Sequence, residues 1–424
     1  MKKKLIIKRL KIHSALTLIL YLSFISCTNT VKKAETEVED DGIREIEIFE
    51  NLFQNQKVNL STIASNIEYC MLETDAKFLI TPSMSVYCIK DYIVAIGLQV
   101  STGVCYVFDR KTGKFIRQIS KMGQGPNEYT EIMDVFSYGD TILIGAWNGK
   151  EHLFFNIDGT LSHKMNRTNP LITRTIVHRD FHVSYSMASV ERITPRVYFL
   201  DRTGKYIDSI PEYRAQGMTK HPNSGYGKAW LYTFCDNLYY KDRFCDTLYY
   251  IEDFTLHPRY IFNTGGLTPP YKIQQELGGR YDMIAGITSG TGIAPDKYEK
   301  YVLIEKMLED KKYLYMAIEY GRQVFPAIYD KTKDKIQVMS PTPIPPRTGR
   351  YWKHALYGLE NDLDGGLPFW PSKMISEKEM MCVFTAEELL ELDASKITDE
   401  KLKNVLNSLD EESNLVVAIV TLKD

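Results

Sequence analysis

The chain has 424 residues, of which 44% are hydrophobic and 25% are charged, and its formal net charge is −2. These values are ordinary for a soluble globular protein and leave no basic excess that would indicate a nucleic-acid partner. The length allows one large all-β domain or two smaller domains behind the N-terminal segment.

The N-terminal segment has the pattern of an export signal. Basic residues and no acids lie between Met1 and Lys11, and an apolar run from Ala15 to Ile25 follows that is too short for a good transmembrane helix. The segment Phe24-Ile25-Ser26-Cys27 resembles a bacterial lipobox, with Phe24 where leucine is usual. The resemblance implies that residues 1–26 are a signal peptide and that Cys27 is lipidated. An ordinary secretory signal with a chance cysteine is the alternative.

Residues 27–44 are predicted to form a flexible tether between the membrane and the folded domain. Their acidic cluster of Glu35, Glu37, Glu39, Asp40 and Asp41 is typical of a solvated segment. Acyl chains on Cys27 would anchor this tether in the membrane. The folded domain is predicted over residues 45–424.

The rest of the chain has the pattern of β-structure, with short alternating segments separated by turns. Three hairpins repeat around Gly113, Gly159 and Gly204, which are 46 and 45 residues apart. An Asp or Thr ahead of the glycine suits a turn that needs a positive φ. A hairpin that recurs about every 45 residues predicts an all-β propeller with one four-stranded blade per repeat. Four to six blades fit the length.

Two helical insertions and a closing strand are predicted in the second half of the chain. The insertions span about 271–308, including Lys297 to Leu308, and 385–409, where Thr385 to Glu388 has the form of a capping box. The apolar run Leu415 to Val420 predicts a last strand that closes the ring, with Ile67 to Leu72 as its partner.

The cysteines beyond Cys27 have no metal-binding spacing. Cys88 with Cys105, and Cys235 with Cys245, are candidates for disulfides between adjacent strands, whereas buried thiols are the interpretation that we favour. The six residues are Cys70, Cys88, Cys105, Cys235, Cys245 and Cys382.

The loop Gly123 to Tyr129 introduces a family resemblance. Together with Leu60–Thr74, Tyr106–Ile119, Asn361–Pro371 and Asp410–Lys423, it resembles the six-bladed β-propeller lipoproteins of Bacteroidetes. The resemblance implies a six-bladed ring with helical insertions and an outer-membrane lipoprotein, on the periplasmic or the surface side. It also implies an association with outer-membrane nutrient-uptake systems, and it implies no established activity.

Two loops supply the candidate ligand contacts. Each combines glycines with carboxylate, amide and aromatic side chains, which suits the binding of a sugar or another polar ligand, and a structural role is the alternative that we favour for both. Alternating oxygen ligands in the second loop would also suit Ca²⁺, although no Glu stands at the twelfth position of an EF-hand loop. The candidate residues are Gln124, Asn127, Glu128 and Tyr129 in the first loop, and Asn361, Asp362, Asp364, Phe369 and Trp370 in the second.

Other motifs are weaker. Asp-Ser/Thr-aliphatic segments make Thr141, Ser209 and Thr247 candidates for O-glycosylation, with plain strand starts as the alternative. His178 and His182 are expected on the same face of one β segment. The chain lacks the Gly-x-Ser-x-Gly and His-Glu-x-x-His motifs.

The sequence therefore favours a non-catalytic binding or scaffold module. The expected partners are the membrane, through Cys27, and a glycan, a peptide or an outer-membrane transporter, with no nucleic acid. No cofactor is predicted. The alternative is a Ca²⁺-dependent propeller hydrolase or lyase with the metal in its central channel.

Overall fold

Six sheets follow one another around a ring and form a six-bladed β-propeller; each has four antiparallel strands, and two of them have one short strand more. The computed structural model describes residues 42–82, 84–97, 103–138, 141–148, 151–166, 172–186, 193–219, 229–242, 244–271, 299–321, 323–343 and 358–423. The predicted signal peptide, Cys27, most of the tether and residues 272–298 of the first predicted insertion lie outside these ranges. The expected all-β, six-bladed fold is confirmed.

The blades are numbered in chain order, and the strands of each blade are antiparallel. Blade 1 contains β3 Ser85–Ile89, β4 Tyr92–Ile96, β5 Cys105–Asp109 and β6 Phe115–Gln118. Blade 2 contains β7 Glu131–Tyr138, β8 Thr141–Trp147, β9 Glu151–Asn156 and β10 Leu161–Asn166. Blade 3 contains β11 Ile172–His178, β12 Phe181–Ser186, β13 Val197–Leu200 and β14 Tyr206–Ile210. Blade 4 contains β15 Ala229–Phe234, β16 Asn237–Asp242, β17 Thr247–Glu252 and β18 Thr255–Asn263. Blade 5 contains β19 Leu303–Glu309, β20 Tyr313–Tyr320, β21 Gln323–Asp330 and β22 Lys335–Val338, with the short β23 Thr342–Pro343 beside β21. Blade 6 contains β24 Lys373–Ser376, β25 Glu379–Phe384, β26 Val416–Leu422 and the N-terminal β2 Ala64–Met71.

The N-terminal part of the folded domain ties three blades together. A first strand, β1 (Arg44–Glu47), runs parallel to β18 at the outer edge of blade 4. The chain then passes blade 5, where Gln56 bridges to Met339, and continues into β2. β2 pairs with β26, so strands from the two ends of the chain share one sheet and close the ring, as the sequence predicts.

The core lies at the junctions between blades. Central strands such as β20 are buried on both faces, because each face of a blade packs against a neighbouring blade. The largest apolar cluster joins blades 5 and 6 and includes Leu60, Phe369 and Trp370. These junctions explain why the strands contain aromatic and β-branched residues on both faces.

The helical insertion between β25 and β26 is confirmed. It consists of α1 (Ala386–Leu390) and α2 (Glu400–Ser408). Thr385 and Glu388 form the predicted capping box, and Asp399 caps α2 by accepting hydrogen bonds from two backbone N–H groups of its first turn. Among the described residues, no helix is long and apolar enough to cross a membrane.

The helix predicted over Lys297 to Leu308 is wrong in its second half. Leu303–Glu309 is β19, the first strand of blade 5. Leu303, Ile304 and Met307 are buried. Packing between two blades therefore overrides a helical composition.

The two ends of the ring differ in their connections. At one end, which we call the short-turn face, two to five residues join the first strand of each blade to its second, and the third strand of blades 1 to 5 to its fourth. Examples are 90–91, 179–180, 235–236, 253–254 and 377–378. The other end, the long-loop face, carries the described parts of the long connections, namely 119–130, 211–219, 264–271, 299–302, 339–343, 358–372 and 385–415. On the short-turn face, ion pairs link turns of neighbouring blades. Examples are Arg179–Asp236 at 3.1 Å and Lys311–Glu377 at 2.8 Å.

The predicted hairpin glycines lie on the short-turn face. Gly113, Gly159 and Gly204 have φ values of 70°, 89° and 84°. A side chain at Gly113 would also meet the backbone of the closing blade, because its Cβ would lie 1.9 Å from the carbonyl oxygen of Met71. The glycine requirement inferred from the sequence is confirmed.

A buried ionic cluster joins blades 4 and 5 towards the short-turn face. The Glu309 side chain has no exposed surface and pairs with Arg259 at 2.9 Å and with Lys331 at 3.0 Å. Tyr232 donates a hydrogen bond to the same carboxylate at 3.0 Å. The Arg259 guanidinium also lies 4.6 Å from the ring centroid of Tyr239. One carboxylate thus pairs with two cations inside the ring.

Candidate functional site

The loop Gly123 to Tyr129 joins blade 1 to blade 2 on the long-loop face and is closed by its own side chains. Glu128 accepts a hydrogen bond from the backbone N–H of Gly125 at 2.9 Å and pairs with Lys121 at 3.0 Å. These two contacts, the Gly125 hydrogen bond first, lower the pKa of Glu128. A Cβ at Gly123 would lie 1.9 Å from the carboxylate, so this position needs glycine.

The four candidate contacts of this loop point in different directions. Tyr129 is fully buried, and its hydroxyl donates a hydrogen bond to the carbonyl of Gly103 at 3.2 Å. Gln124 and Asn127 are exposed. Glu128 and Tyr129 therefore hold the loop in shape while Gln124 and Asn127 face solvent. Ligand binding by this loop stays a prediction.

The segment Asn361 to Trp370 leads into blade 6 on the same face. Asp362 is exposed and accepts hydrogen bonds from the backbone N–H of Ser61 at 2.9 Å and from its hydroxyl at 2.5 Å. Asp364 is only 3% exposed and is hydrogen-bonded to the Tyr69 hydroxyl. Burial raises the pKa of the Asp364 carboxyl. The two carboxylates are thus used separately, one at the surface and one against β2.

The remaining candidates of this segment are largely packed inside. Asn361 is buried and donates a hydrogen bond to the Tyr69 hydroxyl at 3.3 Å, while Phe369 has no exposed surface. Trp370 is 7% exposed and meets the ring of Tyr315 edge to face, with ring centroids 6.2 Å apart. These contacts give the segment a packing role, and sugar stacking by Trp370 stays a prediction.

A second buried ionic cluster lies on the long-loop face between blades 3 and 4. It contains Arg196, Glu212, Arg214 and Asp242, and we call it the loop-base cluster. The Arg214 guanidinium binds both oxygens of Asp242, at 3.1 and 2.9 Å, and both oxygens of Glu212, at 3.1 and 3.0 Å. Arg196 adds a 3.0 Å bond to Glu212, so two cations balance two carboxylates.

Both carboxylates of the loop-base cluster are paired with arginine. Burial alone would raise the pKa values of Glu212 and Asp242, but the hydrogen bonds and charges of Arg214 and Arg196 outweigh it and lower both. The cluster also has an aromatic wall, because the Arg214 guanidinium lies 4.6 Å from the ring centroid of Tyr271.

The loop-base cluster fixes the ends of three connections. Arg196 immediately precedes β13, Glu212 and Arg214 follow β14, and Tyr271 belongs to the connection after β18. Only Asp242 lies within a strand. The described segments 193–196, 211–219 and 264–271 are therefore joined at the rim of the ring by buried, charge-assisted hydrogen bonds.

The wall of the central channel carries a polar contact between three blades. Tyr87 on β3 donates a hydrogen bond to Asp134 on β7 at 2.5 Å. Lys373 on β24 places its Nζ 3.7 Å from the centre of the Tyr87 ring. These are the innermost strands of blades 1, 2 and 6, so the channel wall is polar here.

The described cysteines are all free thiols, and neither proposed pair consists of strand neighbours. β4 separates Cys88 from Cys105, and Cys235 and Cys245 lie at opposite ends of β16. A strand of this length spans about 20 Å, far beyond disulfide distance. Burial raises the pKa of the Cys88 thiol to about 12, which keeps it protonated.

The other predicted positions are spread over the ring. Thr141 is exposed, Ser209 is half-buried, and Thr247 is 9% exposed with its hydroxyl bonded to Asp246. O-glycosylation at these residues stays a prediction. His178 and His182 do not share a strand, because the turn 179–180 separates them. In the described part of the chain, no group of three or more acidic, His or Cys side chains is arranged to hold a metal ion.

Comparisons with known proteins identify the family. The family model described as a domain of unknown function, DUF4934, matches residues 43–421. The chain belongs to the DUF4934 family. This match confirms the expected relationship to Bacteroidetes propellers as far as family and fold are concerned. A comparison of this DUF4934 protein with curated proteins gives no match.

Two solved structures from Bacteroides are similar to the DUF4934 chain. A presumed exported protein from Bacteroides fragilis is 17% identical, with 90% of this chain and 100% of that chain covered and a TM-score of 0.61. A DUF4221 member from Bacteroides vulgatus is 13% identical, with 87% and 99% covered and a TM-score of 0.49. The first similarity supports the propeller fold.

Sequence reasoning missed the loop-base cluster and the channel contact. Arg196, Glu212 and Asp242 are separated by 16 and 30 residues and belong to three different connections or strands. No local motif relates such positions. The only local signal is Glu212, which accepts a hydrogen bond from the backbone N–H of Arg214 and so begins a short turn.

Proposed function

We propose that this chain is an exported, lipid-anchored propeller that uses its long-loop face to bind a glycan, a peptide or a partner protein. It would serve as an accessory to an outer-membrane nutrient-uptake system. The observation that carries the proposal is the contrast between the faces: the described ends of the long connections lie on one face, and the loop-base cluster joins the described ends of three of them there. Loops held by a rigid scaffold are the usual place for recognition.

The state of four acidic side chains on the long-loop face favours binding over catalysis. Glu128, Asp362, Glu212 and Asp242 are engaged by backbone N–H groups, a serine or arginines. A general acid or base needs a carboxyl that can exchange its proton with a substrate. Carboxylates whose oxygens already accept such hydrogen bonds instead hold the surface in a fixed shape for recognition.

The long-loop face is best tested with matched surface variants of the full chain. Immobilised glycans and peptides would be screened for binding, and affinities compared for Gln124→Ala/Asn127→Ala and for the short-turn control Asp91→Ala/Lys111→Ala. All four side chains are exposed. We expect the first variant to lose about tenfold or more in affinity through lost hydrogen bonds, with the control unchanged. Equal affinities of the two variants for a bound ligand would contradict the proposal.

The anchor rests on Cys27 and is supported by the similarity to a presumed exported Bacteroides protein. Cys27→Ala should move the protein from the membrane fraction to the soluble fraction, because the acyl chains would be absent. Ser26→Ala is the matched control and should stay at the membrane. Membrane association that survives Cys27→Ala would refute the lipid anchor while leaving the binding face to be judged by its own test.

A further inference from the structure

The junction between blades 2 and 3 contains histidines where the junction between blades 5 and 6 is apolar. His152 on β9 and His182 on β12 are 7% and 2% exposed. His163 on β10 stacks on Phe154, with ring centroids 4.5 Å apart, and the His182 ring lies 5.3 Å from the same phenylalanine. Two imidazoles therefore contact one aromatic ring between the blades, and a third is buried near them.

The surroundings of His182 are poorly suited to a positive charge. Its Nδ1 is buried without a hydrogen-bond partner. Phe154 contacts the imidazole and Leu200 is its partner on the neighbouring strand, and both belong to the buried apolar cluster of Leu143, Phe154, Met165 and Leu200. A protonated imidazole would therefore carry an N–H group that no acceptor satisfies.

The charged and titratable groups that face His182 come from both blades. Blade 2 supplies His152 and His163, and the hairpin after β13 supplies Asp201 and Arg202. The last two offset one another in sign. Arg202 also pairs with Asp180 at 2.5 Å on the surface. Asp201 favours protonation of His182, but its influence is smaller than that of burial and of the two neighbouring imidazoles, which oppose it.

We propose that the junction between blades 2 and 3 is an acid-sensitive seam: proton uptake by His182 opens this junction while blades 5 and 6 stay closed. The opening is local, because β1, the segment that passes blade 5 and β2 tie blades 4, 5 and 6 together and do not reach blades 2 and 3. In an exported protein, the seam would couple the shape of the ring to external acidity.

The sign of the effect follows from the protonation states. Burial, followed by His163 and His152, lowers the pKa of His182 from 6.5 to about 4. Burial also lowers the pKa of His163. Opening returns His182 to water and to its ordinary pKa, so the open state binds a proton that the closed state rejects between pH 6.5 and 4. The equilibrium constant for opening should rise about tenfold for each unit by which the pH falls in this window. At pH 5 it should be roughly thirtyfold larger than at a pH well above 6.5.

The test is hydrogen–deuterium exchange of the full chain at pH 7 and pH 5, corrected for the intrinsic exchange rates. Peptides from β9, β10, β12 and β13 should gain exchange at pH 5, whereas peptides from β20 and β25 should not. An acid response that is equal in all blades, or strongest in blades 5 and 6, would overturn the proposal.

Variants assign the response to the imidazole. His182→Leu, which cannot titrate and suits an apolar junction, should abolish the acid response of β10 and β12. His257→Leu is the control, because His257 lies half-buried in blade 4 and stacks on Tyr250 at 4.9 Å; it should keep the response. If His182→Leu does not fold, His182→Gln provides the same test. A folded His182 variant that still opens at pH 5 would refute the proposal.

Discussion

The two faces of the ring use buried charge for different purposes. Towards the short-turn face, Glu309 joins strands of blades 4 and 5, which are part of the ring itself. On the long-loop face, Arg214 joins the ends of connections to a strand. The same chemistry thus secures the scaffold at one end and the loops at the other. The difference indicates that changes at the first face should unfold the ring, whereas changes at the second should release loops from an intact ring.

The largest expected effect is that of Glu309→Gln. This substitution keeps the shape of the side chain but leaves Arg259 and Lys331 buried without a counter-charge. The free energy of unfolding should fall by about 3–5 kcal/mol. Urea denaturation measures this loss. Asp180→Asn, at an exposed ion pair with Arg202, is the control and should change the stability little. Similar losses in both variants would contradict a special role of the buried cluster.

Two hairpin glycines on the short-turn face sharpen the comparison. Gly113→Ala should cost clearly more than Gly159→Ala, because the new Cβ would lie 1.9 Å from the Met71 carbonyl oxygen of the closing blade, whereas at Gly159 the nearest atom is 3.9 Å away. Both substitutions also meet a positive φ, which costs about 1–2 kcal/mol. Thermal unfolding of the two variants checks the order. Equal melting temperatures would show that the Gly113 hairpin can move away from the closing blade without cost.

The smallest effect is expected for Asp364→Asn on the long-loop face. Burial raises the pKa of this carboxyl, so its ionised form opposes folding at neutral pH and this penalty is relieved as the pH falls. The amide can still accept the hydrogen bond from the backbone N–H of Gly366. We expect a change in stability of less than about 1 kcal/mol at pH 7. A loss as large as that of Glu309→Gln would mean that the ionised carboxylate itself holds the segment.

The sequence predicts the scaffold better than the site. Hairpin spacing, the turn glycines, the capping box at Thr385 and the apolar last strand are local patterns, and each specifies an observed feature. The strand at Leu303–Glu309 was missed because its burial between two blades is not visible in its composition. Arg196, Arg214 and Asp242 meet only after two blades have folded, and no spacing in the chain relates them.

The central claim is that the loop-base cluster holds loops and that the ring folds without it. The most direct measurement is hydrogen–deuterium exchange of Arg214→Met at pH 7. Asp242 can regain water once the loop detaches, so the effect should stay local. We predict faster exchange in 193–196 and 211–219, with unchanged protection of β20, β25 and β26. Faster exchange throughout the blades, or none in these two segments, would contradict the account.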